Sequence, residues 1–191
     1  MSKRKRFGYK YLPEFVYGGT DGAITSLAIV SGVIGAGLSS SIILILGFVN
    51  LFADGFSMAV SNYLSTSSRN DLNEKRSRRK ENATKTAFVT FVSFFVIGFI
   101  PLLSFVVAAI TNSVHITQNQ IVYSSFLTIF ALGIVGWFKG EVLEKGKIKS
   151  SIQTVLIGGI AAVIAFSAGY FIKILIGWYL KLTNPLFSKN I

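Results

Sequence analysis

The 191-residue chain has no cysteine, one histidine, three prolines and two methionines. Without cysteine, disulfides, thiolate metal sites and cysteine nucleophiles are excluded. His115 alone is too few for a zinc site of the usual kind. Acids are scarce as well, eight Asp and Glu against 19 Lys and Arg, for a formal net charge of +11. None of them has a neighbouring histidine and no nucleophile–base pair is visible, so a membrane enzyme is the weakest of the function classes. The sequence also lacks a long linker, a low-complexity tract and a clear internal repeat, and one domain over residues 1–191 is expected.

What is present is apolar sequence in long runs. The hydrophobic fraction of 51% is ordinary for a soluble domain. Its distribution is not, because blocks of near-spanning length alternate with short polar segments. The expected fold is an all-α integral membrane protein with five transmembrane helices, near residues 13–37, 42–65, 86–110, 120–138 and 152–180. Pro13 suits a helix start, and Pro101 is tolerated inside a membrane helix. Segments 67–85, 111–119 and 139–150 read as loops. The first apolar stretch holds Glu14 and Asp21 and has no clean cleavage pattern, so it is not a removable signal peptide.

The basic residues set direction. Lys3, Arg4, Lys5, Arg6 and Lys10 form the N-terminal tail. Arg69, Lys75, Arg76, Arg78, Arg79, Lys80 and Lys85 lie in the second connection. Lys139, Lys145, Lys147 and Lys149 lie in the fourth. The connections on the other face have no basic residue. Positive segments stay in the cytoplasm, so the N-terminus is expected inside and the C-terminus on the opposite side. Trp137, Trp178 and Tyr179 fit interfacial belts, and Lys173 can snorkel. Topology and attraction to anionic lipid account for the positive charge. No recognition motif accompanies it, so no nucleic acid is expected as a partner.

The most informative stretch is NLFADGFSMAVSNYLS, residues 50–65. Asp54 falls within a predicted span, where a charge is costly and usually functional. Asn50, Asp54, Ser57, Met58, Ser61 and Ser65 recur at steps of three and four and share one helix face. Leu51, Phe52, Phe56 and Val60 take the other side. Small-residue packing explains the serines and Gly55. It does not explain Asp54, which points to a cation site or a proton relay.

In the first span Glu14 and Asp21 share a face that Thr25, Ala28 and Gly32 continue. An acid at the interface is the plain alternative for Asp21. Gly18, Gly19 and Gly22 permit close packing or a local break that turns carbonyls toward an ion, while Gly32, Gly35 and Gly37 read as packing. An antiparallel hairpin of the first two spans would bring Asp21 and Met58 to similar depths. Asp54 would sit one turn deeper and Asn50 two, at about 5.4 Å per turn. Carboxylate and amide oxygens beside a thioether suit Fe(II) or Mn(II) better than Ca(II). The metal-site residues read this way are Asp21, Asp54, Met58 and Asn50, with Glu14, Thr25, Ser57 and Ser61 along the pathway or in proton coupling.

TDGAITS at residues 20–26 and the stretch at 50–65 closely resemble the paired signatures of the vacuolar iron transporter family. The resemblance is dense over residues 14–68. It implies five spans with a cytoplasmic N-terminus, and a dimer whose ion path lies between protomers. It matches Asp21 and Met58 to pathway residues. Asn50 stands where plant members carry a glutamate, and Asp54 where they carry a small residue. The glutamate-rich cytoplasmic domain of plant members is replaced here by a short basic connection.

The expected function is export of Fe(II) or Mn(II) from the cytoplasm, with proton antiport, by a homodimer in contact with membrane lipid. Direction rests on the resemblance. The metal is cargo, and no permanently bound cofactor is expected. The location would be the cell membrane of a microbe or a vacuolar-type membrane of a eukaryote. The alternative is a non-transporting membrane protein of the same fold that binds lipid or a partner through its basic segments.

Overall fold

The computed structural model describes residues 10–74, 80–111, 113–144 and 146–183. Within them the chain forms six α-helices: α1 (Leu12–Ala36), α2 (Ser40–Glu74), α3 (Ala83–Phe99), α4 (Leu103–Thr111), α5 (Val114–Val142) and α6 (Lys147–Thr183). A 3-10 turn at Ile100–Leu102, carrying Pro101, joins α3 to α4 in one span. The five segments Leu12–Ala36, Ser40–Leu72, Ala83–Thr111, Val114–Glu141 and Lys147–Leu180 are long and apolar enough to cross a membrane. The expected all-α, five-span architecture is thus present. Most of the basic residues of the tail and second connection, Lys3–Arg6 and Lys75–Arg79, lie outside the described residues, as do Lys145 and Lys189.

Several helices run further than their apolar runs suggest. α2 was expected to end near residue 65 but continues to Glu74, because polar bonds hold its last turns. Thr66 Oγ1 donates to Asn62 Oδ1 at 3.2 Å and pairs with Thr86 Oγ1 at 3.3 Å. The Asn70 amide grips the backbone of Glu81 twice, each bond 2.7 Å long. Asn82 caps α3 by accepting from the Lys85 N–H at 2.9 Å. At 1.5 Å per residue, the 35 residues of α2 cover about 50 Å, well beyond a hydrocarbon core of about 30 Å. α5 begins at Val114 rather than near residue 120. Ser113 precedes it with extended backbone, and Thr117 N–H reaches the Ser113 carbonyl at 2.9 Å.

α1 is the central strut. Gly18 and Gly22 bring its backbone against Thr90 and Phe94 of α3. Further along, Gly35 meets Phe166 of α6, and Gly169 of α6 meets Gly32. The helix is unbroken, so its glycines serve close packing and do not open a break toward an ion. α1 ends at Gly37, whose φ of 69° lies in the left-handed region that glycine adopts without steric cost. Lys173 of α6 places its ammonium beside that cap. The expected hairpin of the first two spans is a minor contact. α1 packs chiefly on α3 and α6, and α2 chiefly on α3. One core cluster joins Val30, Val33, Ile43, Leu51, Phe94, Leu102 and Phe105. A second joins Ala23, Ile97, Ala131, Leu132 and Val135.

Candidate metal pathway

Asp21 is half-buried on α1. It lines a cavity of about 450 Å³ with Val16, Tyr17, Thr20 and Lys139. Asp54 of α2 is exposed, yet the two carboxylates lie within electrostatic reach of one another. Phe94 of α3 meets both helices. Gly22, next to Asp21, abuts its backbone, and a Cβ on Gly55, next to Asp54, would lie 3.2 Å from its ring. Asp21 and Asp54 therefore each stand next to a glycine that packs on Phe94 of α3.

The polar stripe on α2 divides. The face against the other helices holds Leu51, Gly55, Met58, Asn62 and Thr66, the alternation of three and four expected of a packed helix. Asn50 stands half-buried beside that face, with its Nδ2 buried and unpartnered. Met58 is half-buried and packs against the Leu51–Phe94 cluster. Asp54, Ser57, Ser61 and Ser65 point outward, together with Phe52, Phe56 and Val60. The single polar face read from the sequence is thus two faces, with Leu51 fully buried and the flanking aromatics exposed.

Glu14 is half-buried near the start of α1, with Oε2 buried and unpartnered, and Arg69, Glu81 and Lys10 act on it through space. Thr25 is half-buried one turn beyond Asp21. Among the described residues no three His, Asp or Glu side chains cluster tightly enough to hold a metal ion. Within one copy, a donor set built on these two carboxylates would need further oxygen or sulfur groups beside them.

Several residues escaped the sequence reading. Asn62 donates to Thr90 Oγ1 at 2.8 Å, and Thr66 and Thr86 extend this bonded row between α2 and α3. The signal available was the i, i+4 spacing of Thr86 with Thr90 and of Asn62 with Thr66. Thr20 Oγ1, one residue from Asp21, is buried without a partner. Lys139, read only as a topology signal, faces the Asp21 cavity.

The chain matches the profile of the VIT family over residues 12–86 and 72–170. It belongs to the VIT family. A vacuolar iron transporter of Toxoplasma gondii is 24% identical over 230 residues, which cover 87% of this chain and 76% of the relative. One from Centaurea cyanus is 26% identical, covering 80% and 84%. Vacuolar iron transporter homolog 1 of Arabidopsis thaliana is 27% identical, covering 83% of each chain. The Toxoplasma alignment is longer than this chain, so that VIT relative carries sequence without a counterpart here. The two stretches of the VIT match overlap at residues 72–86, where this chain has its short second connection. These relatives are named as transporters and not as enzymes, in agreement with the reading of the acids.

Proposed function

We propose that this multi-pass membrane protein carries a divalent transition metal, Fe(II) or Mn(II), out of the cytoplasm in exchange for protons. The observation that supports it most is the pair Asp21 and Asp54, on different spans and each next to a glycine that packs on Phe94. Two carboxylates offset the charge of a divalent ion in a low-dielectric surrounding. The same groups can take up protons as the ion leaves, which gives exchange its chemical basis. Asn50 adds an amide and Met58 a thioether. Glu14, Thr25, Ser57 and Ser61 stand along the route on either side.

The working unit in this reading is a homodimer, with residues 1–191 of each chain as one transmembrane unit. Asp54, Ser57 and Ser61 face outward from a single copy beside Phe52 and Phe56, which are 58% and 65% exposed. A carboxylate facing lipid is costly. A second copy over that face would turn it into an interior path. The pattern of basic residues supports a cytoplasmic N-terminus and a C-terminus on the opposite side. The membrane is the cell membrane in a microbe and a vacuolar-type membrane in a eukaryote.

Purified protein in liposomes that enclose a pH dye tests this reading. Added Fe(II) or Mn(II) should enter from the side of the basic connections, with protons moving the opposite way. Movement of neither metal would favour the non-transporting alternative.

A further inference from the structure

Another cavity lies where α5 meets α6 and shares Lys139 and Leu143 with the Asp21 cavity. It measures about 430 Å³ and is lined by Lys139, Leu143, Gly146, Lys149, Ser150 and Gln153. The two helices approach closely there: a Cβ on Gly140 of α5 would lie 2.7 Å from the Lys147 Cα at the start of α6. The first N–H groups of a helix have no intrahelical acceptor and carry partial positive charge. Here that end of α6 lies beside Lys139 and Lys149, and among the described residues no acid lines the cavity. Glu141, nearby, is paired with Lys147 at 3.2 Å.

Ser150 is the second, independent sign. It is 5% exposed, lines the cavity, and its Oγ has no hydrogen-bond partner. Its neighbours are satisfied. Ser151 Oγ donates to the Gly133 carbonyl at 2.9 Å, and Thr154 Oγ1 donates to the Ser150 carbonyl at 2.9 Å. A buried hydroxyl without a partner is uncommon, and a water or an anion beside it would satisfy it.

We infer that this cavity binds a phosphate group, with Lys139 and Lys149 supplying charge, Ser150 Oγ donating a hydrogen bond, and the first turn of α6 supplying backbone N–H groups. A phosphate ester brings the oxygen acceptors that all three lack, and helix N-termini favour such anions. The cavity lies at the end of two membrane-spanning helices, beside Trp137, whose ring is 5.4 Å from the Lys147 ammonium. Such a position is within reach of an anionic phospholipid headgroup and of soluble phosphate.

Thermal unfolding and intact-complex mass spectrometry of the full chain in neutral detergent test the site and its source. The probes are phosphatidylglycerol, phosphatidylcholine and inorganic phosphate. Phosphatidylglycerol should bind and raise the unfolding midpoint, and phosphatidylcholine should not. Lys149→Gln should weaken binding roughly fivefold, the loss expected for one lysine near an anionic lipid. Ser150→Ala should weaken it further, and Lys173→Gln, far along α6 from Lys149, should leave it unchanged. Lys149 is exposed, so its variant folds even if Ser150→Ala does not. An effect of inorganic phosphate alone, lost in the same variants, would keep the site and assign it to a soluble ligand. Equal binding by wild type and Lys149→Gln, or no binding of any probe, would overturn the inference. Neither readout involves metal, so the result stands apart from the transport reading.

Discussion

Gly22 of α1 lies directly on the backbone carbonyl of Phe94 in α3, with no room between them for a Cβ. The contact sits one residue from Asp21 and on the same Phe94 that Gly55 of α2 abuts. It ties the two helices that carry the carboxylates to one residue of α3. Gly22→Ala must push α1 away from rigid backbone and not from the far end of a side chain. The expected loss is about 1–3 kcal/mol, the usual range for overpacking. Thermal unfolding in detergent reads it, and an unchanged midpoint would mean that the helices part freely at this level. Gly133, whose Cβ would meet nothing within 4 Å, is the control, and Gly133→Ala should be neutral or mildly stabilising.

The Asn62–Thr90 bond, 2.8 Å long, ties α2 to α3 in the same bonded row as Thr66 and Thr86. Interhelical hydrogen bonds in membrane proteins are worth about 0.6 kcal/mol on average and up to about 1.7. Asn62→Ala should cost an amount in that range, and Thr90→Val a similar one. The double variant should cost less than the sum, because both remove one bond. Strict additivity in unfolding measurements would show that the two side chains act separately.

The helical character of all five spans was legible because apolar runs of spanning length have few folds open to them. Helix ends were less legible. The turns of α2 beyond residue 65 depend on Asn70 gripping Glu81, a contact between segments that no local pattern announces. The acids were legible through the cost of intramembrane charge. Their shared neighbour was not, because Phe94 on a third helix meets both Gly22 and Gly55. Periodicity placed the serines together, but it could not say that Leu51 faces inward while Asp54 faces out. That choice belongs to α3, which covers the side of α2 where Gly55 permits close approach.

Met58 is half-buried against an apolar cluster and also one turn from Asp54. Leucine keeps its volume and usually costs less than about 1.5 kcal/mol in a core. A thioether favours the softer of two divalent ions. Met58→Leu should therefore lower Fe(II) transport more than Mn(II) transport, with folding intact. Equal losses for both metals, or none for either, would assign Met58 to packing and leave oxygen donors alone on the route.

The most direct measurement is the initial rate of Fe(II) uptake into liposomes by wild-type protein, Asp21→Ala and Asp54→Ala, with insertion and oligomeric state checked for each. Paired carboxylates as the metal's route predict that either substitution reduces uptake to the level of empty liposomes while the protein still inserts. Wild-type rates in both variants would contradict the assignment.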